Sequence, residues 1–307
     1  MRLDALCDVP GIKVGHAQNL EARTGCTVVI PEKPAVTGVD VRGSAPGTRE
    51  IELLKPVRLV REIHALLLTG GSAFGLDAAG GVQQFLEERK IGFSTGHAHV
   101  PIVPAAVIYD LGIGRSDVRP DRRMGYEAAK NTHAYDQTNG AFGVGSGASI
   151  GKIAGFENAS PGGVGQASER LGKDVFVAAL TVVNPFGDVI DSFTGDVLAG
   201  AKSADGRFLD TMLTLKKEGA PVRGGWENTV LSVVATNAKL TKEEATKVAQ
   251  TAQDGLARSI NPAHTIFDGD VVFAMSCGDA KSDILTIGAV AAEVVSRSIE
   301  KAVKAAK

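Results

Sequence analysis

The chain has 307 residues, 44% hydrophobic and 22% charged, with 33 basic against 35 acidic side chains for a formal charge of −2. That is enough chain to bury one large core or two tightly joined halves, and the near-neutral balance offers no field to attract nucleic acid or an anionic membrane. The 37 glycines against 5% aromatics favour tight turns over platforms for stacking bases, so a small, roughly neutral ligand is expected.

Cys7, Cys26 and Cys277 lie far apart, forming neither a disulfide framework nor a Cys-x-x-Cys metal spacing, and read as the reduced thiols of a cytoplasmic protein. The N-terminus carries Asp4 and Asp8 where a secretory signal needs an apolar core, and no later run approaches the roughly 20 apolar residues of a membrane span.

Residues 1–60 hold short strand candidates, 26–30 and 37–41, among Gly and Pro punctuation. Residues 65–69 read as a buried strand, 70–77 as a glycine turn and 78–89 as a helix. A strand-like run follows at 100–109, a short helix at 124–130, and a glycine-rich stretch at 140–148 whose amides suit close approach to a ligand. Residues 175–184 form a strand closed by the turn Asn184-Pro185-Phe186-Gly187-Asp188. Residues 195–227 are the least ordered by composition, reading as a mobile connection or a processing loop. A strand over 229–236 comes next, then a Thr241/Glu244 capping box opening a helix to about Ser259, a strand over 271–276 and a long amphipathic helix over 283–304.

The run Gly224-Gly225-Trp226-Glu227-Asn228-Thr229 turns at one Thr into unbroken strand pattern. A Thr freed of the residue before it carries a nucleophilic hydroxyl and its own general base, the new α-amine, so Asn228-Thr229 is a candidate cleavage site as well as a loop meeting a strand. Ser72 lacks the glycine spacing of a nucleophile elbow, since Phe74 stands where Gly is needed; its turn either feeds a helix or lines a pocket. Lys152 ends a glycine-rich run that fails the P-loop pattern at Ser146 and Ile153, and is either a solvated lysine or a donor to an oxyanion or nucleophile. Asp268-Gly269-Asp270 is a solvated turn, or a carboxylate pair that orients a nucleophile or binds a metal, though no further ligands cluster for one. The six His show no zinc-binding spacing, and no metal site is expected.

Together these motifs resemble the self-processing L-aminopeptidase/D-esterase family, which includes β-peptidyl aminopeptidases and nylon-oligomer hydrolases. The resemblance runs through 11–16, 68–77, 145–152, 234–238 and 267–270 and so covers nearly the whole chain. It implies an α/β fold, a four-layer αββα sandwich resembling N-terminal-nucleophile hydrolases but differently connected, in one hydrolase domain over 1–307 that cuts itself into chains 1–228 and 229–307. It further implies Thr229 as nucleophile, Lys152, Asp268 and Asp270 around the amine, Asn184 near the tetrahedral intermediate, and Gly70, Gly71, Ser72 and Gly147 at the substrate pocket. Thr at the cut matches the nylon-hydrolase branch; Lys152, Asp268 and Asp270 depart from the Ser and Tyr of the peptidase branch, against a strict β-peptide or D-alanyl specificity.

The expected protein is an aminopeptidase-like hydrolase of small peptides or amino-acid amides, without cofactor or metal, acting through an acyl-enzyme as a homo-oligomer, a tetramer of processed protomers. Other readings are an endo-amidase on ω-amino-acid oligomers, an acetyltransferase of the ornithine type that also cuts itself before Thr, and an uncleaved relative that binds a small ligand.

Overall fold

The computed structural model describes residues 3–219 and 228–306; Gly224 to Glu227, which precede the candidate cleavage site, lie outside the described residues. The principal elements are β1 (Ile12–Asn19), β2 (Thr24–Pro31), β3 (Ala35–Val41), β4 (Leu66–Thr69), α1 (Ala78–Glu87), β5 (Ala105–Val107), α2 (Arg122–Lys130), β6 (Gly163–Leu171), β7 (Val175–Asn184), α3 (Thr211–Glu218), β8 (Thr229–Ala238), α4 (Lys242–Ser259), β9 (Val271–Ala280) and α5 (Ile284–Ala305).

Two sheets stack face to face. The first runs β1-β2-β4-β5 with Thr48–Arg49 at its edge; the second runs β6-β7-β8-β9-β3 with Glu62–Ile63 at its edge. Their strands read as nearly continuous apolar runs because both faces are buried. In β4, Leu66 and Leu68 face the second sheet while Leu67 faces α1 and α2. In β8, Leu231, Val233 and Ala235 face the first sheet while Val230 and Val234 meet α4 and α5. This period-two division yields three apolar layers between four layers of structure, an αββα sandwich.

α4 begins with the capping box expected of it: Glu244 N–H donates to Thr241 Oγ1 at 3.2 Å and Thr241 N–H to Glu244 Oε2 at 2.8 Å. The run 100–109 joins the first sheet only over Ala105–Val107, Val100 pairing separately with Phe93, because Pro101 and Pro104 remove two ladder donors. The connection expected to be mobile carries structure in its described part, the strand Val197–Ala199 and α3. Buried Asp188 fixes that helix, accepting the Thr211 N–H at 2.5 Å and its hydroxyl at 2.8 Å. No helix among the described residues is long and apolar enough to cross a membrane.

Candidate active site

β8 opens at Thr229, and the antiparallel ladder with β7 sets Asn184 directly opposite it. Thr229 shares the alternation of Leu231, so its side chain turns toward the space between the sheets. There it borders a cavity of about 210 Å³ with Asn228, Ala45, Gly47, Ser72, Val107 and Tyr109. A larger groove of about 550 Å³, lined by Leu198, Phe208 and Val303, holds none of the candidate residues.

The Asn228-Thr229 junction is held from several sides. Asn228 and Thr229 are both buried. The Thr229 hydroxyl donates to the carbonyl oxygen of Asn228, and the Gly269 N–H donates to that same oxygen at 2.9 Å. Gly269 has no room for a side chain: a Cβ there would lie 2.6 Å from Ala45 O and 2.8 Å from Thr229 Oγ1.

Asp268 and Asp270 do not form a solvated turn, for they are 1% and 2% exposed. Asp270 Oδ1 accepts the Val230 N–H at 2.7 Å, the first amide after Thr229. Its Oδ2 accepts from His264, through the backbone N–H at 3.2 Å and ring Nδ1 at 2.8 Å. Asp268 Oδ1 accepts the Phe186 N–H at 3.1 Å, and Oδ2 accepts from the N–H of Thr265 at 3.0 Å and from its hydroxyl. Burial, and then the charge of Asp270, push the Asp268 carboxyl up to about 6.

Lys152 is likewise not a surface residue; it is 5% exposed. Its ammonium donates to Ser149 O and Asn184 O, both at 2.9 Å, to Asn184 Oδ1 at 3.1 Å and to Pro185 O at 3.2 Å. The acceptor end of the Asn184 amide is thus committed to Lys152 and to the Ser149 N–H at 3.0 Å, and its Nδ2 donates to Tyr109 O at 3.3 Å.

Of the four expected pocket residues, Ser72 borders the cavity and Gly70, Gly71 and Gly147 do not. Those glycines gather around Asp110 instead. Gly71 N–H donates to Asp110 Oδ1 at 2.7 Å, and a Cβ at Gly70 or Gly147 would lie 2.0 or 2.7 Å from Asp110 side-chain atoms. Asp110 is buried, accepts the Thr24 hydroxyl at 2.6 Å, and is pushed upward by desolvation. These glycines let the loop close over a buried acid, one step behind the cavity wall.

Sequence reasoning missed His264 and Tyr109. The signal for His264 was its place four residues before Asp268 and six before Asp270, within reach of a reversing turn. Tyr109 ends a strand-like run, and nothing local marks its ring as bordering the cavity. Among the described residues no cluster of three or more His, Cys, Asp or Glu could hold a metal ion.

A four-layer sandwich with a buried Thr opening an inner strand, two carboxylates beyond it and an ammonium beside its partner strand has the form of an N-terminal-nucleophile type hydrolase. The chain belongs to peptidase family S58, whose model matches residues 4–307. An uncharacterised aminopeptidase of Mycobacterium tuberculosis (strain ATCC 25618 / H37Rv) is 41% identical over 291 residues, covering 90% of this chain and 82% of the relative. The 6-aminohexanoate-oligomer endohydrolase of Kocuria sp. (strain KY2) is 32% identical over 314 residues, covering 97% and 85%. Among solved structures, the L-aminopeptidase D-Ala-esterase/amidase of Ochrobactrum anthropi superposes with a TM-score of 0.76 at 16% identity, covering 99% of this chain and 87% of that one. The Burkholderia sp. beta-aminopeptidase gives 0.71 at 22%, covering 98% and 86%. The protein is a hydrolase of peptide and amide bonds, aminopeptidase-like in family and fold.

Proposed function

We propose that this hydrolase matures by cutting its own Asn228-Thr229 bond and then works through Thr229 as an N-terminal nucleophile. The observation that carries this reading is the pair of donors on one carbonyl: the Thr229 hydroxyl and the Gly269 N–H both meet Asn228 O. In the precursor the Thr229 oxygen attacks the Asn228 carbonyl carbon, and the Gly269 N–H stabilises the oxyanion. The C–N bond breaks, the amine takes the hydroxyl proton, and the ester left on Thr229 is hydrolysed by water to a carboxyl on Asn228.

In turnover the freed amine removes the Thr229 hydroxyl proton, the oxygen attacks the substrate carbonyl, and the proton passes to the leaving amine. Water then resolves the acyl ester by the reverse proton transfers. An α-amine titrates near 7.7 to 8 in isolation, and a fully charged carboxylate beside it would hold it as ammonium. With its pKa lifted to about 6, Asp268 is still mostly ionised at neutral pH, so the charge that favours the neutral amine has to come from Lys152. Lys152 fixes Asn184 opposite Thr229 and brings positive charge to that side of the site.

The cut does not release the small chain. β8 lies between β7 of the large chain and β9 of the small, and β9 pairs on its other side with β3 of the large chain. Chains 1–228 and 229–307 therefore remain one folded unit, and assembly of such units into a cytoplasmic homo-oligomer belongs to the same reading.

Small peptides and amino-acid amides are the proposed substrates, in keeping with the aminopeptidase relatives. Endo-hydrolysis of ω-amino-acid oligomers is the second reading, favoured by the 32% identical 6-aminohexanoate-oligomer endohydrolase. Intact mass spectrometry of the denatured protein tests the maturation step. Two species, the smaller beginning at Thr229, are expected for wild type and Thr229→Ser, and one full-length species for Thr229→Ala. A single mass for wild type, or amide hydrolysis by Thr229→Ala, overturns the mechanism.

A further inference from the structure

Cleavage before Thr229 would turn the first residue of an inner strand into a chain end, and chain ends fray unless they are tied down. The precursor is tethered through Asn228; the mature chain is not. Thr229 keeps its ladder pairing with Asn184, and the side-chain tie next to the new end is the 2.7 Å bond from the Val230 N–H to Asp270 Oδ1. The other half of that carboxylate belongs to His264. Its backbone N–H and ring Nδ1 both meet Asp270 Oδ2, at 3.2 and 2.8 Å.

Several features show that this contact is built in. The His264 side chain is 19% exposed, and its Nδ1 faces a carboxylate oxygen, which only accepts, so Nδ1 carries the proton and donates to Asp270. His264 also adopts a left-handed backbone, φ 54°, a conformation costly for most side chains. That turn brings the ring and the amide of one residue onto the same oxygen. The neighbouring acid, Asp268, is held by Phe186 and Thr265 and takes no part in the tie to Val230.

We infer that His264 is a positioning residue: by fixing Asp270 it keeps the new N-terminal Thr229 in register, and so matters more to the mature enzyme than to self-cleavage. The inference rests on the maturation proposed above. With the ring removed, Asp270 can rotate, the Val230 amide loosens, and the Thr229 hydroxyl and amine lose their common alignment toward a substrate carbonyl. A displacement of about 1 Å at a reacting group can cost on the order of a hundredfold in rate.

Two substitutions isolate the ring. His264→Gly keeps the left-handed backbone and its N–H while deleting the Nδ1 donor; His264→Asn tolerates the same backbone and restores an amide donor near the Nδ1 position. Each is followed by intact mass for self-cleavage, by hydrolysis of aminoacyl p-nitroanilides, and by hydrogen exchange of the Val230 amide resolved by NMR. His264→Gly should mature with at most a few-fold delay, exchange its Val230 amide about tenfold faster or more, and lose about tenfold or more in kcat with little change in KM. His264→Asn should recover most of both losses.

Unchanged Val230 exchange in His264→Gly, or equal losses in self-cleavage and turnover that Asn does not repair, overturns the inference and leaves the maturation scheme standing. A wild-type chain that stays full length overturns both. The exchange measurement requires no knowledge of the natural substrate.

Discussion

Gly269 donates its backbone amide to the carbonyl oxygen of Asn228 at 2.9 Å, the oxygen against which the Thr229 hydroxyl rests. The donor comes from the turn between Asp268 and Asp270, so one three-residue reversal supplies two carboxylates and a donor to the Asn228 carbonyl. Asn228 and Asp268 form an isolated parallel bridge at this point, which fixes the turn against the Asn228-Thr229 bond.

Gly269→Ala tests that contact. Its Cβ would crowd Thr229 Oγ1 at 2.8 Å and Ala45 O at 2.6 Å, so the turn has to withdraw its N–H from Asn228. Loss of one oxyanion donor costs about 3 kcal/mol of barrier, on the order of a hundredfold in rate. A time course of intact mass should show self-cleavage slowed to that degree. Wild-type kinetics would remove Gly269 from the mechanism.

Lys152→Met keeps the length of the side chain and deletes its charge. Ser149 O, Asn184 O and Pro185 O would lose a buried cationic donor, for a stability cost of about 2 to 3 kcal/mol. Asn184 would lose its anchor opposite Thr229 as well, so kcat should fall further than stability alone explains. Denaturant unfolding beside turnover of the surviving folded fraction separates the two effects. Equal kcat per folded molecule would confine Lys152 to a structural role.

Much of this arrangement was legible in the sequence where its causes are local. Thr241 and Glu244 are three residues apart and cap each other, and Thr229 stands at an abrupt change from polar residues to unbroken strand pattern. Lys152 was ambiguous because the carbonyls that bury its ammonium include residues 32 and 33 positions away. The same holds for the stretch after Asp188, whose composition suggests disorder but whose helix is tied back to Asp188 across 23 positions. Gly70, Gly71 and Gly147 read as lining a substrate pocket; in the fold they crowd the buried carboxyl of Asp110 instead, which no local pattern announces.

Asp268 gives a pH-dependent signature. Its carboxyl titrates at about 6 in the folded chain against an ordinary value of 3.8, so the folded state holds this proton more tightly than the unfolded state. The resulting contribution to stability is complete below about pH 4 and is lost as pH rises through about 6. Asp268→Asn cannot ionise. The difference in Tm between Asp268→Asn and wild type should therefore move in favour of the variant from pH 4 to pH 7, whatever constant offset the lost hydrogen bonds impose. A flat difference over that range would show that Asp268 is not an acid of raised pKa.

Asp188 should govern maturation from the other side of the cleavage point. It is buried in the strand Asp188–Ile190 and holds the first residue of α3 by two bonds to Thr211, and Asp210 caps that helix by accepting the Leu213 N–H at 2.9 Å. α3 is the last described element before Asn228 and, in the proposed scheme, belongs to the large chain. Asp188→Leu leaves both Thr211 donors unpaired, and self-cleavage should slow about tenfold or more if the anchorage of α3 matters to it. Thr211→Val removes only the hydroxyl bond and keeps the N–H, so its delay should be a few-fold. The graded order wild type, Thr211→Val, Asp188→Leu in an intact-mass time course is the expected outcome; equal rates in all three would mean that the position of α3 has no bearing on how Asn228 is presented to Thr229.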